Sequence, residues 1–270
     1  MNLKSFNRLA AAAHGLSLVA TLYGFSKRRL DLKQITMKRT TVDGSGATPD
    51  QCTIDYDVKL VDQGVFRYDY AIALFFFISF VAHLWYASSD NYALAISEGW
   101  NPYRWYEYAA SAGVMTTILA TADGIRDYPF ALALGAVTAG LQFTGYTTES
   151  TLKYNSALNP QTLFGAQLTG WFLFVVIWAT ILNTFFRTVR DVNGLPSNVK
   201  VPSWLYFVIL SQVVYYGLFG LVQRWHISDR LAGNSRFELH EKRYIQLSFL
   251  SKISLAAGFA YGLLFRTRDC

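Results

Sequence analysis

The chain has 270 residues, 52% of them apolar and only 16% charged, where an ordinary soluble domain carries about 25% charged residues. The net charge of +6 does not point to nucleic acid, because Lys and Arg collect between the apolar runs, where membrane proteins keep them. Two cysteines, Cys52 and Cys270, are too few and too far apart for a thiolate metal site or a disulfide framework.

The first apolar run, Phe6 to Phe25, is followed by Ser-Lys-Arg-Arg and has no small-residue cleavage site, so it reads as a retained helix and not a signal peptide. Residues 26–67 form a long polar segment with Gly44-Ser45-Gly46 as a turn. Its alternating runs, Gln34-Ile35-Thr36-Met37 and Cys52-Thr53-Ile54-Asp55-Tyr56, predict a β-hairpin. A lone hairpin is marginal in water, so it is expected to pack on the membrane-proximal surface or against a second protomer. Further apolar runs follow at Tyr68–Ser88, Tyr103–Ala122, Tyr128–Tyr146, Thr162–Phe186, Val201–Val222 and Glu238–Phe265. Each is long enough to cross about 30 Å of hydrocarbon as a helix. The expected fold is therefore all-α, a seven-transmembrane-helix bundle with a β-hairpin in its first long loop, and one domain over residues 1–270.

Some helix ends are legible. Asn101-Pro102 opens the third helix with a cap and a proline in its first turn, and Pro202-Ser203 is expected to do the same for the sixth. Trp100, Tyr103, Trp105, Tyr128, Trp204, Tyr206 and Trp225 fall near predicted ends, as an aromatic belt would. An odd number of spans puts the long loop and the C-terminus on one side, so a Cys52–Cys270 disulfide stays open. The Lys/Arg count taken alone places that side in the cytoplasm.

Lys252 lies near the middle of the last span. A charged amine at bilayer depth costs several kcal/mol, so an intramembrane lysine marks a functional site by default. Burial favours the neutral amine, a nucleophile that condenses with an aldehyde to a Schiff base. The alternative is a lysine snorkelling to the interface or paired in a helix contact. A protonated Schiff base needs a buried anion, and Glu107 in the third helix is the candidate. Arg104, Glu107 and Ser111 share one helical face, and Arg104 is the partner for a purely local ion pair. At about 4 Å and an effective dielectric near 20, the attraction between Glu107 and such a cation is about 4 kcal/mol.

His14 and His83 are the histidines well inside predicted spans, and they read as a proton relay or as hydrogen-bonded core residues. His226 and His240 fall at the sixth-to-seventh connection and are expected to be solvated. Glu149, Asp191, Glu238 and Glu241 lie near span ends, as pathway groups or as solvated interfacial ones. Ser248, one turn before Lys252, could hydrogen-bond its nitrogen or simply ease helix packing. Tyr108, Ser111, Met115, Tyr216 and Phe219 are candidate pocket walls or ordinary bundle packing. No His-Glu-x-x-His, Gly-x-Ser-x-Gly or P-loop is present, so the chain does not read as an enzyme.

The seventh-helix Ser-x-x-x-Lys ending at Lys252, the Arg104-Trp105-Tyr106-Glu107-Tyr108 run, the histidines of the first two helices and the extended first loop resemble a microbial-type rhodopsin. In particular they resemble the heliorhodopsins, over nearly the whole chain. The resemblance implies all-trans retinal bound covalently to Lys252, Glu107 as counterion, and a sensory photoreceptor with a slow photocycle. It also implies a cytoplasmic N-terminus, against the Lys/Arg count, and a homodimer in lipid that hands its signal to a partner not named by the sequence. In ion-pumping relatives the residue four before the lysine is usually an aspartate, here Ser248. A proton-donor carboxylate usually stands eleven after the counterion, here Ile118, and Trp-x-x-Tyr-Pro is replaced by a segment containing Tyr215-Tyr216-Gly217. A light-activated proton transporter or channel, and a seven-helix receptor without retinal, are the rival readings.

Overall fold

The computed structural model describes residues 2–27, 34–43, 57–154, 160–194, 200–234 and 236–265. They form eight helices and one hairpin: α1 (Leu3–Ser26), β1 (Gln34–Asp43), β2 (Asp57–Arg67), α2 (Tyr68–Ser88), α3 (Asp90–Ser97), α4 (Pro102–Ala122), α5 (Tyr128–Tyr154), α6 (Pro160–Asn193), α7 (Ser203–Leu231) and α8 (Phe237–Phe265). The long helices pack in a ring. Each touches its neighbour in the chain, α2 meets α4, and α8 returns to α1.

The ring is polar inside and apolar outside, the reverse of a water-soluble bundle. Leu16, Phe77, Phe172, Val175 and Val214 are exposed, whereas Arg104, Glu107, Glu149, Glu241 and Lys252 are buried. Contiguous exposed apolar surface of this kind is covered by lipid. By length and composition α1, α2, α6 and α7 suffice to cross a membrane. The remaining long helices, α4, α5 and α8, place Thr117, Gln142, Glu149, Ser248 and Lys252 on their inner faces, and that polarity lowers their mean hydropathy.

Local chemistry sets several helix ends. Asn2 caps α1, its side chain accepting from Ser5 N at 2.9 Å. Asn101 caps α4 as expected, its Oδ1 accepting from Tyr103 N and Arg104 N, with Pro102 in the first turn. At α7 the expectation fails: Pro202 is itself the N-cap and supplies no side-chain hydrogen bond. The eight-residue α3, capped by Ser89, was not anticipated, because one and a half apolar turns carry no clear period. The sequence also underestimates α5, α6 and α7. They run past the expected ends at Tyr146, Phe186 and Val222 because their polar last turns are still packed against neighbours.

The hairpin is antiparallel, with Gln34 opposite Arg67 and Asp43 opposite Asp57. Its register shifts between Met37 and Lys38, beside Gly64, whose φ of 136° only glycine adopts easily. Met37 is buried in the bundle's main core, and Lys38 N donates to Arg126 O at 2.8 Å, so the hairpin sits on the end of the bundle. The second strand follows the Cys52–Tyr56 run, which lies outside the described residues, as do Gly44-Ser45-Gly46, Cys52 and Cys270. Trp105 departs from the aromatic-belt expectation. It is buried against Tyr108 and Tyr244, because α4 turns that face inward.

Candidate chromophore site

Lys252 and Glu107 meet in the middle of the bundle. Lys252 Nζ donates to Glu107 Oε1 at 3.0 Å and to Ser248 Oγ at 2.6 Å. The helical spacing of Ser248 and Lys252 puts the hydroxyl one turn below the amine on the same face of α8. Glu107 Oε1 also accepts from Ser79 Oγ at 2.5 Å and from Ser111 Oγ at 3.4 Å. Both charged side chains are almost wholly out of solvent. A buried ion pair depends on hydrogen bonds to its atoms, and the hydroxyls of α2, α4 and α8 serve Glu107 Oε1 and the amine, whereas Oε2 has no partner among the described residues.

An apolar cavity opens from Lys252 between α4, α5, α6 and α7. Tyr108, Ser111, Met115, Tyr216, Phe219 and Ser248 line it together with Lys252, so seven of the eight residues singled out for the pocket share it. Glu107 does not line it and stands behind the amine. Tyr216 Oη donates to Ala112 O at 3.2 Å, and Tyr108 Oη to Tyr244 O at 3.0 Å, so both phenols are locked and present only their rings. The sequence reading missed Trp105, Gln142, Trp171 and Phe174 in this wall. It also missed two glycines that make room for the wall: a Cβ on Gly145 would fall 2.3 Å from the Trp105 ring, and one on Gly220 2.8 Å from Trp171.

His14 and His83 are both buried and stack at 5.4 Å, nearly parallel. Neither is hydrogen-bonded to Lys252 or Glu107. His83 Nδ1 donates to Asn7 Oδ1 at 2.8 Å, because an amide oxygen can only accept, and this leaves Nε2 of the neutral ring as the proton acceptor. That Nε2 and both nitrogens of His14 have no hydrogen-bond partner among the described residues. Asn7, seven residues before His14 and so on the same face of α1, was the missed signal.

The alternative of a local Arg104–Glu107 pair is not what forms, and two placements near the span ends are corrected. The Arg104 guanidinium is held between Glu149 of α5 and Glu241 of α8, and stacks 4.0 Å over Tyr244. Glu149 and Glu241 are accordingly buried and not interfacially solvated, each about 1% exposed. His226 and His240 are buried too, 2% and 1% exposed, because α7 continues two turns beyond its expected end and closes over them. Asn101 Nδ2 and Tyr92 Oη both donate to Glu241 Oε1, at 2.7 and 3.4 Å, completing a buried ionic cluster at the α4 end of the bundle.

The arrangement fits the aldehyde chromophore that the resemblance implies. An amine stands at the inner end of a long aromatic cavity, with a carboxylate behind it and no other charged side chain on the cavity wall. No metal-binding group of three or more His, Cys, Asp or Glu occurs among the described residues. No curated protein gives a significant match. The heliorhodopsin family model, in contrast, matches residues 3–264. With the apolar helices, that match makes the chain an integral membrane protein of the rhodopsin type, a class of retinal photoreceptors and not a known class of enzyme. The chain belongs to the heliorhodopsin family.

Proposed function

We propose that the chain is a light sensor in which Lys252 carries all-trans retinal covalently, Glu107 balances the charge of the linkage, and the seven long helices all cross the bilayer. The buried Lys252–Glu107 pair at the head of an aromatic cavity carries this reading. Retinal, when bound, supplies visible absorption, a light-driven change of shape and a nitrogen linkage that is positive when protonated.

The protein's own groups do the rest. Glu107 holds a negative charge beside the nitrogen, and Ser248, Ser79 and Ser111 fix the positions of both. Tyr108, Met115, Tyr216 and Phe219 exclude water and set the cavity's shape. The free Nε2 of His83, with His14 stacked on it, is a place for a proton released from Lys252 to rest. Helix movement after that change of charge would then be read by a partner. Ser248 and Ile118 stand where ion-pumping relatives carry carboxylates, which supports sensing over transport. By family resemblance the N-terminus is cytoplasmic and the protein pairs as a dimer in lipid.

Visible absorption of the protein purified with all-trans retinal tests the reading. We expect a visible band in wild type and none in Lys252→Ala; a wild type without a band overturns it. In Glu107→Gln the band should survive, but the charged nitrogen loses up to about 4 kcal/mol of attraction. It therefore gives up its proton up to about three pH units lower than in wild type. A photocurrent across the membrane would instead favour the transporter.

A further inference from the structure

The buried cluster of Arg104, Glu149 and Glu241 does not end the polar interior. His226 Nδ1 lies 3.5 Å from Glu149 Oε1. Its ring stacks at 5.6 Å on that of His240, and His240 Nε2 is 2.8 Å from Asp229 Oδ2. Asp229 is about one-fifth exposed and borders a surface cavity between the α3–α4 connection and the α7–α8 turn, which His226 and His240 also line. Four side chains from α5, α7 and α8 thus run in a row from a buried carboxylate to an open one.

We infer that His226, His240 and Asp229 form a proton port, the segment through which the buried cluster exchanges protons with solvent at this end of the bundle. The inference rests on the proposed sensor only for its use of that proton, and the port itself is a property of the chain without light.

The donor chemistry fixes how the port works. A carboxylate can only accept, so His240 Nε2 carries the hydrogen that points at Asp229, and its Nδ1 is the acceptor of the neutral ring. His240 Nδ1 and both nitrogens of His226 make no hydrogen bond among the described residues. An outward transfer starts with an extra proton on His226, which passes it to His240 Nδ1, while His240 Nε2 gives its own proton to the Asp229 carboxylate and Asp229 releases it to solvent. Rotation of the His240 ring returns its hydrogen to Nε2, and a proton taken up by the Glu149 carboxylate resupplies His226; the reverse order of steps serves uptake. The two rings stack, so their in-plane nitrogens do not point at one another and the transfer between them needs a bridging water.

The surrounding charges suit both protonation states. Glu149 of α5 lies beside His226, and Asp229 of α7 favours the charged form of His240 although its burial favours the neutral one. Arg104 of α4, Arg243 of α8, and Arg230 and Arg236 at the cavity oppose charge on the rings. Glu98 and Glu238 border the same cavity and keep its mouth mixed in sign. His226 and His240 therefore sit between two carboxylates and several guanidinium groups, His240 hydrogen-bonded to Asp229 and His226 3.5 Å from Glu149.

Exchange of the histidine ring N–H with water, followed by NMR on protein carrying nitrogen-15 histidine, tests the port without light. In wild type the His226 ring should exchange with water. In His240→Gln and in Asp229→Asn its exchange should slow at least about tenfold, since each removes a link on the solvent side. Asp229→Asn changes a partly exposed residue and guards against loss of folding in His240→Gln. Unchanged His226 exchange in a folded Asp229→Asn and His240→Gln overturns the port, even if wild type binds retinal. Slowed exchange supports it, even if no visible band forms, so the two readings fail separately.

Discussion

Between Lys252 and the start of α4, the interior holds Asn7, His83, Arg104, Glu149 and Glu241. Between Lys252 and the hairpin it holds Ile72, Phe75, Ile118, Leu119 and Phe259, each essentially without solvent contact. Hydroxyls occur in the second half as well, but Thr117 and Thr121 donate to carbonyls of their own helix, to Gly113 O and to Thr117 O, and so offer no path. Its buried acids are Asp123 at the C-cap of α4 and Asp69 in the first turn of α2, both beyond the apolar layer. The difference teaches that buried polar groups extend from the level of Lys252 toward one face of the protein. A site of that kind can shuffle a proton and return it, whereas a pump needs polar steps on both sides.

The comparison breaks most visibly at Arg104. Replacing it by Met leaves Glu149 and Glu241 buried without their cation, a loss of about 3–5 kcal/mol. Arg104→Met should therefore show the largest fall in the thermal unfolding midpoint, and no comparable fall should follow an exposed Leu16→Ala. Ile118→Ala makes the corresponding test in the apolar half, where an unfilled cavity costs about 2–5 kcal/mol. The visible band and its pH dependence should stay in place there, since Ile118 is no part of the charge network. Ser79→Ala should behave in the opposite way. It removes one charge-assisted hydrogen bond, worth about 1.5–3 kcal/mol, and shifts the pH dependence of the visible band by altering the acceptor of Lys252. Equal spectral effects of Ile118→Ala and Ser79→Ala would erase the distinction between the halves.

The two halves were unequally legible in the sequence. Lys252 and Glu107 stand out because a charge inside an apolar run is costly, and Ser248 and Ser111 follow from one-turn spacing to them. The apolar half is plain hydropathy. The ionic cluster was not legible, because Glu149 and Glu241 fall where a span of ordinary length should end, and whether a helix continues there is decided by contacts with other helices. A partner for Arg104 from α5 and α8 is a long-range pairing that local spacing cannot reveal; spacing offers only Glu107, on the same helix, which pairs with Lys252 instead. One signal was present: Gln142, Gly145 and Glu149 recur at one-turn spacing and mark a polar, close-packed face running to the end of α5. His226 and His240 were misplaced for the same reason, since the end of α7 was read two turns too early.

The smallest expected effect lies outside the membrane, at the edge of the polar half. Lys153 donates to the Glu98 carboxylate, and its amine also stands 4.2 Å over the Trp100 ring, tying the end of α5 to the α3–α4 connection. The hydrogen bond from Lys153 holds Glu98 below the usual carboxylate range. A carboxyl depressed in the folded state stabilises the protein above its unfolded pKa, near 4.3, and this contribution is lost as pH falls through the lower folded value. Glu98→Gln should remove that part of the acid dependence. The gap in unfolding midpoint between wild type and variant should be small at about pH 6 and close at about pH 3. Because both groups face water, screening by salt should shrink the gap further. Arg104 is enclosed and its requirement should survive the same salt, so a salt series on the two variants separates the rim of the polar half from its interior.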